Sequence, residues 1–247
     1  KPAALAAVEQ AAETKKAAIR SNDALTSDEK AEAVRKVDEA LTQAQAAIRA
    51  AASDEDVTRE QGNGTTAISG VAETPVARPS ANQVVEAAAA AKRQEIEGNK
   101  TLTNEERLTA YTQLEAKHQD ALQAIADAAS NEDVEQALNT HKSGIESFTP
   151  AASVRQAALD AFDREAAVRA NNIETFSDFT EEERRDHKQR FEALRDQLRQ
   201  SILDAGTDRE VQDALDNGIS GLHSFSLTAT KKRDAISDLT QEAQTKR

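Results

Sequence analysis

The chain of 247 residues carries 31 Lys and Arg against 44 Asp and Glu, and its formal net charge of −13 argues against a general affinity for nucleic acid or anionic membranes. It has no Cys, Met or Trp, which excludes disulfides, thiol nucleophiles and zinc knuckles. Few Gly and Pro, with abundant Ala, Glu, Gln, Lys and Arg, indicate a helical protein.

The sequence repeats with a period of 77 residues. The segment Leu25–Glu29 recurs as Leu102–Glu106 and again as Phe179–Glu183. Apolar positions keep the same offset along the chain: Ile19, Ile96 and Ile173; Ile48, Ile125 and Ile202; Val57, Val134 and Val211; Ile68, Ile145 and Leu222; Val71, Phe148 and Phe225. We therefore predict three repeats, at residues 1–77, 78–154 and 155–231, with residues 232–247 beginning a fourth.

The first helix predicted in each repeat is rich in alanine. In the first copy Leu5, Val8, Ala12 and Ile19 line one helical face. The same face recurs in the third copy and at the start of the fourth, with Leu159, Phe162, Ala166 and Ile173, and then Ile236, Leu239 and Ala243. Residues 232–247 are therefore predicted to form part of a helix.

The second predicted helix has the clearest pattern. Its apolar residues follow one another at intervals of three and four: Val34, Val37, Leu41, Ala44, Ile48 and Ala51. Thr26 precedes this run and Glu29 follows three residues later, which is the pattern of a capping box. Equivalent pairs occur in the other copies, Thr103 with Glu106 and Thr180 with Glu183. We interpret these acids as helix caps and not as catalytic groups.

The third predicted helix also begins with a capping pattern. Ser53, Ser130 and Thr207 are each followed three residues later by an acid. In the first copy Gly62-Asn63-Gly64 falls inside this helix. Because each glycine costs about 1 kcal/mol relative to alanine in a helix, we interpret the segment as a local defect and not as a phosphate-binding loop.

Short links between three amphipathic helices predict antiparallel three-helix bundles. All four prolines lie at repeat boundaries: Pro2, Pro75, Pro79 and Pro150. Pro75 and Pro150 should interrupt the helix between repeats, whereas the boundary near Leu227 and Thr228 has no proline and should be smoother. The predicted fold class is all-α, with tandem three-helix bundles arranged as an elongated rod. Helices of about 25 residues give the rod a length of about 110 Å.

We find no pattern of residues that points to catalysis, a cofactor or a metal. The histidines, His118, His141, His187 and His223, form no HExxH pair and do not recur at equivalent positions. The acidic segments Asp54–Asp56 and Glu181–Glu183 lie at helix starts and lack the features of a calcium loop. Basic runs such as Lys231–Arg233 lack interleaved aromatic residues. We expect no enzyme activity, no catalytic, cofactor or metal site, and no nucleic-acid binding.

The repeat resembles the tandem helical unit called domain of unknown function 1542, which is found in long wall-anchored surface proteins of Gram-positive bacteria. The resemblance is carried by the Leu-Thr-x-x-Glu start of the second helix, the seam leading to Ile48, and the Ser/Thr-x-x-acid-Val start of the third helix. Gly144-Ile145 and Gly221-Leu222 are similar to a Gly-Ile pair of the family, whereas the first copy has Ala67-Ile68.

The resemblance implies the stalk region of an adhesin on the bacterial cell wall, which holds a binding region away from the cell and supports attachment or biofilm formation. No signal peptide opens the chain, so the surface location depends on the resemblance alone. No apolar run reaches the ~20 residues that a membrane span needs, so we expect no membrane insertion. We expect the fragment to be monomeric.

Two alternatives remain open. The repeats themselves could bind a host matrix or serum protein, or a like chain on a neighbouring cell; an exposed apolar patch present in every copy would indicate this. An intracellular spectrin-like rod would favour helices that continue across the repeat boundaries, which Pro75 and Pro150 oppose.

Overall fold

The computed structural model describes residues 1–246, and all regular secondary structure in this range is helical. The described helices are α1 (Pro2–Ser21), α2 (Ser27–Ala50), α3 (Asp54–Ser69), α4 (Ala77–Gly98), α5 (Asn104–Asp127), α6 (Asn131–Glu146), α7 (Val154–Thr175), α8 (Glu181–Asp204), α9 (Asp208–Ser224) and α10 (Lys231–Thr245). The predicted all-α class and the three helices in each repeat are confirmed. We refer to α1–α3, α4–α6 and α7–α9 as the first, second and third triplets.

The chain forms two compact units that divide the second triplet. One unit contains Lys1–Arg93 and Leu114–Phe148, and the other contains Gln94–Gln113 with Thr149 onward. Within the first unit α1, α2 and α3 contact one another, and within the second unit α7, α8 and α9 do the same. The first and third triplets are therefore three-helix bundles, each with its own apolar core.

The same repeat positions are buried in successive triplets. Each of the following sets gives the buried residue at one repeat position in the first, second and third triplets: Val8, Val85 and Phe162; Ile19, Ile96 and Ile173; Leu25, Leu102 and Phe179; Val37, Leu114 and Phe191; Ile48, Ile125 and Ile202; Ile68, Ile145 and Leu222. The seam predicted for the second helix is confirmed, because Val37, Ala44 and Ile48 are buried in the first core. The period of 77 residues is thus a period of core packing.

Aromatic residues replace aliphatic ones in the third core. The ring of Phe179 lies 4.7 Å from that of Phe176 and 4.3 Å from the imidazole of His187. The ring of Phe225 lies 5.4 Å from that of Phe191. Such aromatic pairs add about 1 kcal/mol each to the free energy gained from burial. The third core therefore holds larger side chains than the first, whose buried residues are all aliphatic.

An equivalent backbone hydrogen bond follows the end of the third helix in every triplet. The backbone N–H of Val71 donates to the carbonyl of Ile68 at 3.3 Å, and the equivalent bonds are Phe148 to Ile145 at 3.2 Å and Phe225 to Leu222 at 3.3 Å. The third boundary is interrupted from residue 225 to residue 230, although it has no proline. The expectation of a smoother third boundary was wrong: α9 ends at Ser224, and the partly buried Phe225 packs its ring against Phe191.

Gly64 allows α3 to approach α2 closely. This residue is buried, and a Cβ atom built on it would lie 2.4 Å from the Cβ of Ala44. Gly62 lies on the open side of the same helix, with nothing within 4 Å of such an atom. The interpretation of Gly62-Asn63-Gly64 as a local defect was therefore wrong for Gly64, since the packing of the first core requires a residue without a side chain there.

Candidate functional site at the junctions between triplets

The start of α2 is built as its sequence predicts. The backbone N–H of Glu29 donates to the hydroxyl oxygen of Thr26 at 3.2 Å, and Oε2 of Glu29 accepts from the backbone N–H of Thr26 at 3.0 Å. This reciprocal capping box satisfies two amides that the first turn of a helix leaves without partners. It uses only one of the two carboxylate oxygens.

The other oxygen of Glu29 caps the next triplet. Oε1 accepts from the backbone N–H groups of Val76 and Ala77, both at 2.8 Å. Ala77 is the first residue of α4, so one carboxylate satisfies amides at the starts of two helices that belong to successive triplets. A negative charge at this place also interacts favourably with the positive end of each helix dipole.

The same arrangement recurs at the second and third junctions. Oε1 of Glu106 accepts from the backbone N–H groups of Ser153 at 2.7 Å and Val154 at 3.0 Å, where α7 begins. Oε1 of Glu183 accepts from Thr230 at 2.9 Å and Lys231 at 3.0 Å, where α10 begins. The Oε2 atoms of both glutamates complete their own capping boxes. We refer to Glu29, Glu106 and Glu183 as the junction glutamates.

Hydrogen bonding stabilises the charged form of these carboxylates. The pKa of Glu183 falls from the ordinary 4.5 to about 2, because the backbone N–H groups of Thr180, Lys231 and Thr230 donate to it. At the first two junctions partial burial acts to raise the pKa of the glutamate, but the backbone donors outweigh it and the pKa is lowered. All three junction glutamates are therefore ionised at neutral pH.

A second contact at each of the first two junctions joins two more helix starts. The backbone N–H of Ser27 donates to the carbonyl of Ala129 at 2.9 Å, and Asp28 accepts from the backbone N–H of Asn131 at 2.7 Å. One period later, Asn104 donates to Gly206 at 2.9 Å and Glu105 accepts from Asp208 at 3.0 Å. The start of a second helix thus contacts the start of the third helix in the following triplet.

A basic residue near the start of each first helix binds main-chain carbonyls. The guanidinium of Arg78 donates to Asp23 at 2.8 Å, in the α1–α2 link, and to Ala128 at 2.7 Å, in the α5–α6 link. It therefore joins links from two successive triplets. Lys232 donates to Ser177, the equivalent of Asp23, whereas Lys1 and Arg155 bind carbonyls near the end of the second helix of their own triplets: Arg49 for Lys1, and Ile202 and Leu203 for Arg155.

The sequence predicted only part of these junctions. The capping boxes were predicted and are confirmed, whereas the second oxygen of each junction glutamate, Asp28 and the basic residue were missed. A signal for the basic residue was present, since Lys1, Arg78, Arg155 and Lys232 occupy the same position at intervals of 77 residues. No local sequence pattern marks the hydrogen bonds between Glu29 and the start of α4, because the backbone donors lie 47 and 48 residues after the glutamate.

The structure also places each histidine considered above. His187 is buried, and its Nδ1 lies 2.8 Å from the carbonyl oxygen of Glu183. His223 lies 2.6 Å from the carboxylate of Glu165, and His118 and His141 are half-buried on different helices. Within residues 1–246 no three His, Asp or Glu side chains cluster as metal ligands would.

The acidic segments and the exposed apolar residues also take definite places. Asp54–Asp56 and Glu181–Glu183 occupy the first turns of α3 and α8.

In the described part of the chain, large exposed apolar side chains fall at unrelated repeat positions: Val76, Val84, Leu108, Val168, Leu203, Ile236 and Leu239. The apolar patch that would indicate binding by every copy is therefore not among these side chains.

An open cleft lies beside the first junction. Its volume is about 630 Å³, and its lining includes Leu25, Ala33 and Val76 together with Glu29 and Asp28. The equivalent cleft at the second junction is smaller, at about 190 Å³. Both acids named here accept backbone hydrogen bonds across the first junction.

Comparison with known protein families identifies a match over most of the chain. A family model described as Domain of Unknown Function (DUF1542) matches residues 1–76, 77–153 and 154–230. No curated protein matches the chain, and no solved structure does. Across residues 1–246 no helix combines the length and apolar character that crossing a membrane requires.

Proposed function

Because the chain belongs to the DUF1542 family and consists of three tandem copies of that domain, we propose that it is a structural spacer in a bacterial cell-surface adhesin. Its copies hold a binding region away from the cell wall and so support attachment or biofilm formation. In this role the chain carries no catalytic centre and needs no cofactor.

The observation that carries the proposal is the repetition of one junction. At each of three junctions a glutamate in the first turn of a second helix caps the first helix after its own triplet. Each triplet therefore offers the same group to the helix that follows it, and the second and third triplets receive that group from the triplet before them. Such a series gains length with every copy, which is the property that a spacer needs.

The distribution of charge and apolar surface agrees with this role. The net charge of −13 keeps a long surface-exposed array soluble. Within the three triplets the large exposed apolar side chains are scattered singly, as on ordinary solvated surfaces. Both features are typical of a chain whose surface is exposed to solvent along its whole length.

Small-angle scattering of the 247-residue chain tests the proposal. Three triplets placed end to end would be about 110 Å long, with a radius of gyration of about 32 Å. A single globule of this chain length would have a radius of gyration of about 18 Å. We expect the larger value, and the smaller one would contradict a spacer.

A binding measurement provides the second arm of the test. The chain is passed over immobilised fibronectin, collagen and serum albumin, and its own mass is measured by sedimentation over a range of concentrations. We expect a monomer without specific binding. Saturable binding to a host protein, or association between copies, would replace the spacer with an adhesive role for the repeats themselves.

A further inference from the structure

The forward contact of the junction glutamate restricts the direction of the following triplet. Oε2 of Glu29 is held by the backbone of Thr26, at the start of its own helix. Oε1 receives two adjacent amides from the start of α4. Both carboxylate oxygens accept from backbone N–H groups and not from flexible side chains. A rotation of α4 against α2 would therefore break the hydrogen bonds of one of the two oxygens.

Arg78 makes a second connection across the same junction. Its guanidinium binds the carbonyls of Asp23 and Ala24 in the preceding triplet and that of Ala128 in its own triplet. The planar guanidinium fixes the relative directions of the bonds that it donates. Glu29 therefore binds forward to the start of α4, and Arg78, which lies close to that start, binds back to the preceding triplet.

We infer that Glu29 and Arg78 form a rigid joint that fixes the direction of the second triplet against the first and couples their stability. Glu106 occupies the equivalent place at the second junction, and Glu183 with Lys232 at the third. The inference rests on the proposed spacer function for its biological use, because a spacer with free hinges would lose reach. Its physical content concerns the joint alone.

The coupling follows from the shared carboxylate. If the first triplet unfolds, Val76 and Ala77 lose the acceptor that caps α4, and Arg78 loses two carbonyl partners. Loss of a helix cap destabilises a folded neighbour, so each triplet is more stable beside a folded one. Successive triplets should therefore unfold cooperatively and not independently of one another.

A distance measurement on the full chain tests the joint. The absence of cysteine allows specific spin labelling after Gln43→Cys on α2 and Asn139→Cys on α6, both at exposed positions within one compact unit. Double electron–electron resonance then gives the distribution of the label-to-label distance across the first junction. We expect a narrow single distribution for the chain without further changes.

Glu29→Gln is the principal variant. A Gln side chain keeps one acceptor oxygen, so it can satisfy either Thr26 or the start of α4, but not both. We expect the width of the distance distribution to increase at least twofold. The matched control is Glu132→Gln, which removes the same charge from the exposed first turn of α6 outside this joint, and should leave the width unchanged.

Ala77→Pro provides an independent variant in case Glu29→Gln loses helical structure by circular dichroism. Proline is accepted at the first helical position and removes one N–H donor to Glu29 without altering its capping box. Broadening in this variant supports the joint. Unchanged widths in every variant that keeps its helical content would overturn it, even if scattering confirmed an extended spacer, whereas a compact scattering profile would contradict the spacer and leave the joint standing.

Discussion

Gly64 lies so close to Ala44 that a Cβ atom added to the glycine would stand 2.4 Å from the alanine Cβ. Gly64→Ala should therefore force α3 away from α2 and lower the free energy of unfolding of the first triplet by about 1–3 kcal/mol. Chemical denaturation followed by circular dichroism measures the change.

Gly62 provides the matched control for that substitution. Nothing lies within 4 Å of a Cβ added there, so Gly62→Ala should gain the helix propensity of alanine, about 1 kcal/mol. The two substitutions are chemically identical and only two residues apart. If both stabilised the chain, the close contact between α3 and α2 would not exist in solution.

The junction glutamates predict acid sensitivity. The pKa of Glu183 is about 2 in the folded chain against an ordinary 4.5, so its stabilising contribution is complete above about pH 4.5 and is lost as the pH falls towards 2. We expect Glu183→Gln to show a smaller loss of stability than the parent chain between pH 7 and pH 2.5, in thermal unfolding.

Glu181→Gln is the control for the acid experiment, because the Glu181 side chain is 89 % exposed in the same first turn. Its pH profile should follow that of the parent chain. Profiles of the parent and of Glu183→Gln that ran parallel would contradict a junction held by an ionised carboxylate.

Arg155 should contribute strongly to the third triplet. It is only 6 % exposed, and its guanidinium donates to the carbonyls of Ile202 at 2.7 Å and Leu203 at 2.6 Å. Arg155→Ala should lower the free energy of unfolding by about 3 kcal/mol, because it removes charge-assisted bonds at the end of α8. Arg209→Ala, at a side chain that is 90 % exposed, should cost less than about 1 kcal/mol. Equal costs would show that burial of Arg155 is not important.

The aromatic core of the third triplet should tolerate truncation poorly. Phe191 is 2 % exposed and packs against Phe225, so Phe191→Ala should lower the free energy of unfolding by about 3–5 kcal/mol. Val168→Ala, at a side chain that is 55 % exposed, should change it by about 0.5 kcal/mol or less. Urea denaturation of the full chain distinguishes the two. A small loss for Phe191→Ala would contradict the packed aromatic core.

Local features of the fold could be predicted from the sequence because they depend on residues a few positions apart. The apolar seam of α2 and the box of Thr26 and Glu29 are patterns within single helices, and both are present. Repetition strengthened these predictions, since each pattern occurs three times at one spacing.

Tertiary contacts were harder to predict from the sequence. The role of Gly64 depends on Ala44, a residue of another helix, and the forward bond of Glu29 depends on where the next triplet is placed. Proline was a poor guide to the third boundary, because α9 ends there without one, at the partly buried C-cap residue Phe225. Predictions failed where a residue acts through a distant partner.

The double use of Glu29 has a consequence for how such genes evolve. The residue that starts α2 also supplies the contact to the following copy, so duplication of one segment carries its own attachment to the next. Unequal recombination could then add or delete whole copies without requiring a new interface to arise by point mutation. Lineages could alter copy number in single genetic events while each surviving copy keeps a neighbour that it already fits.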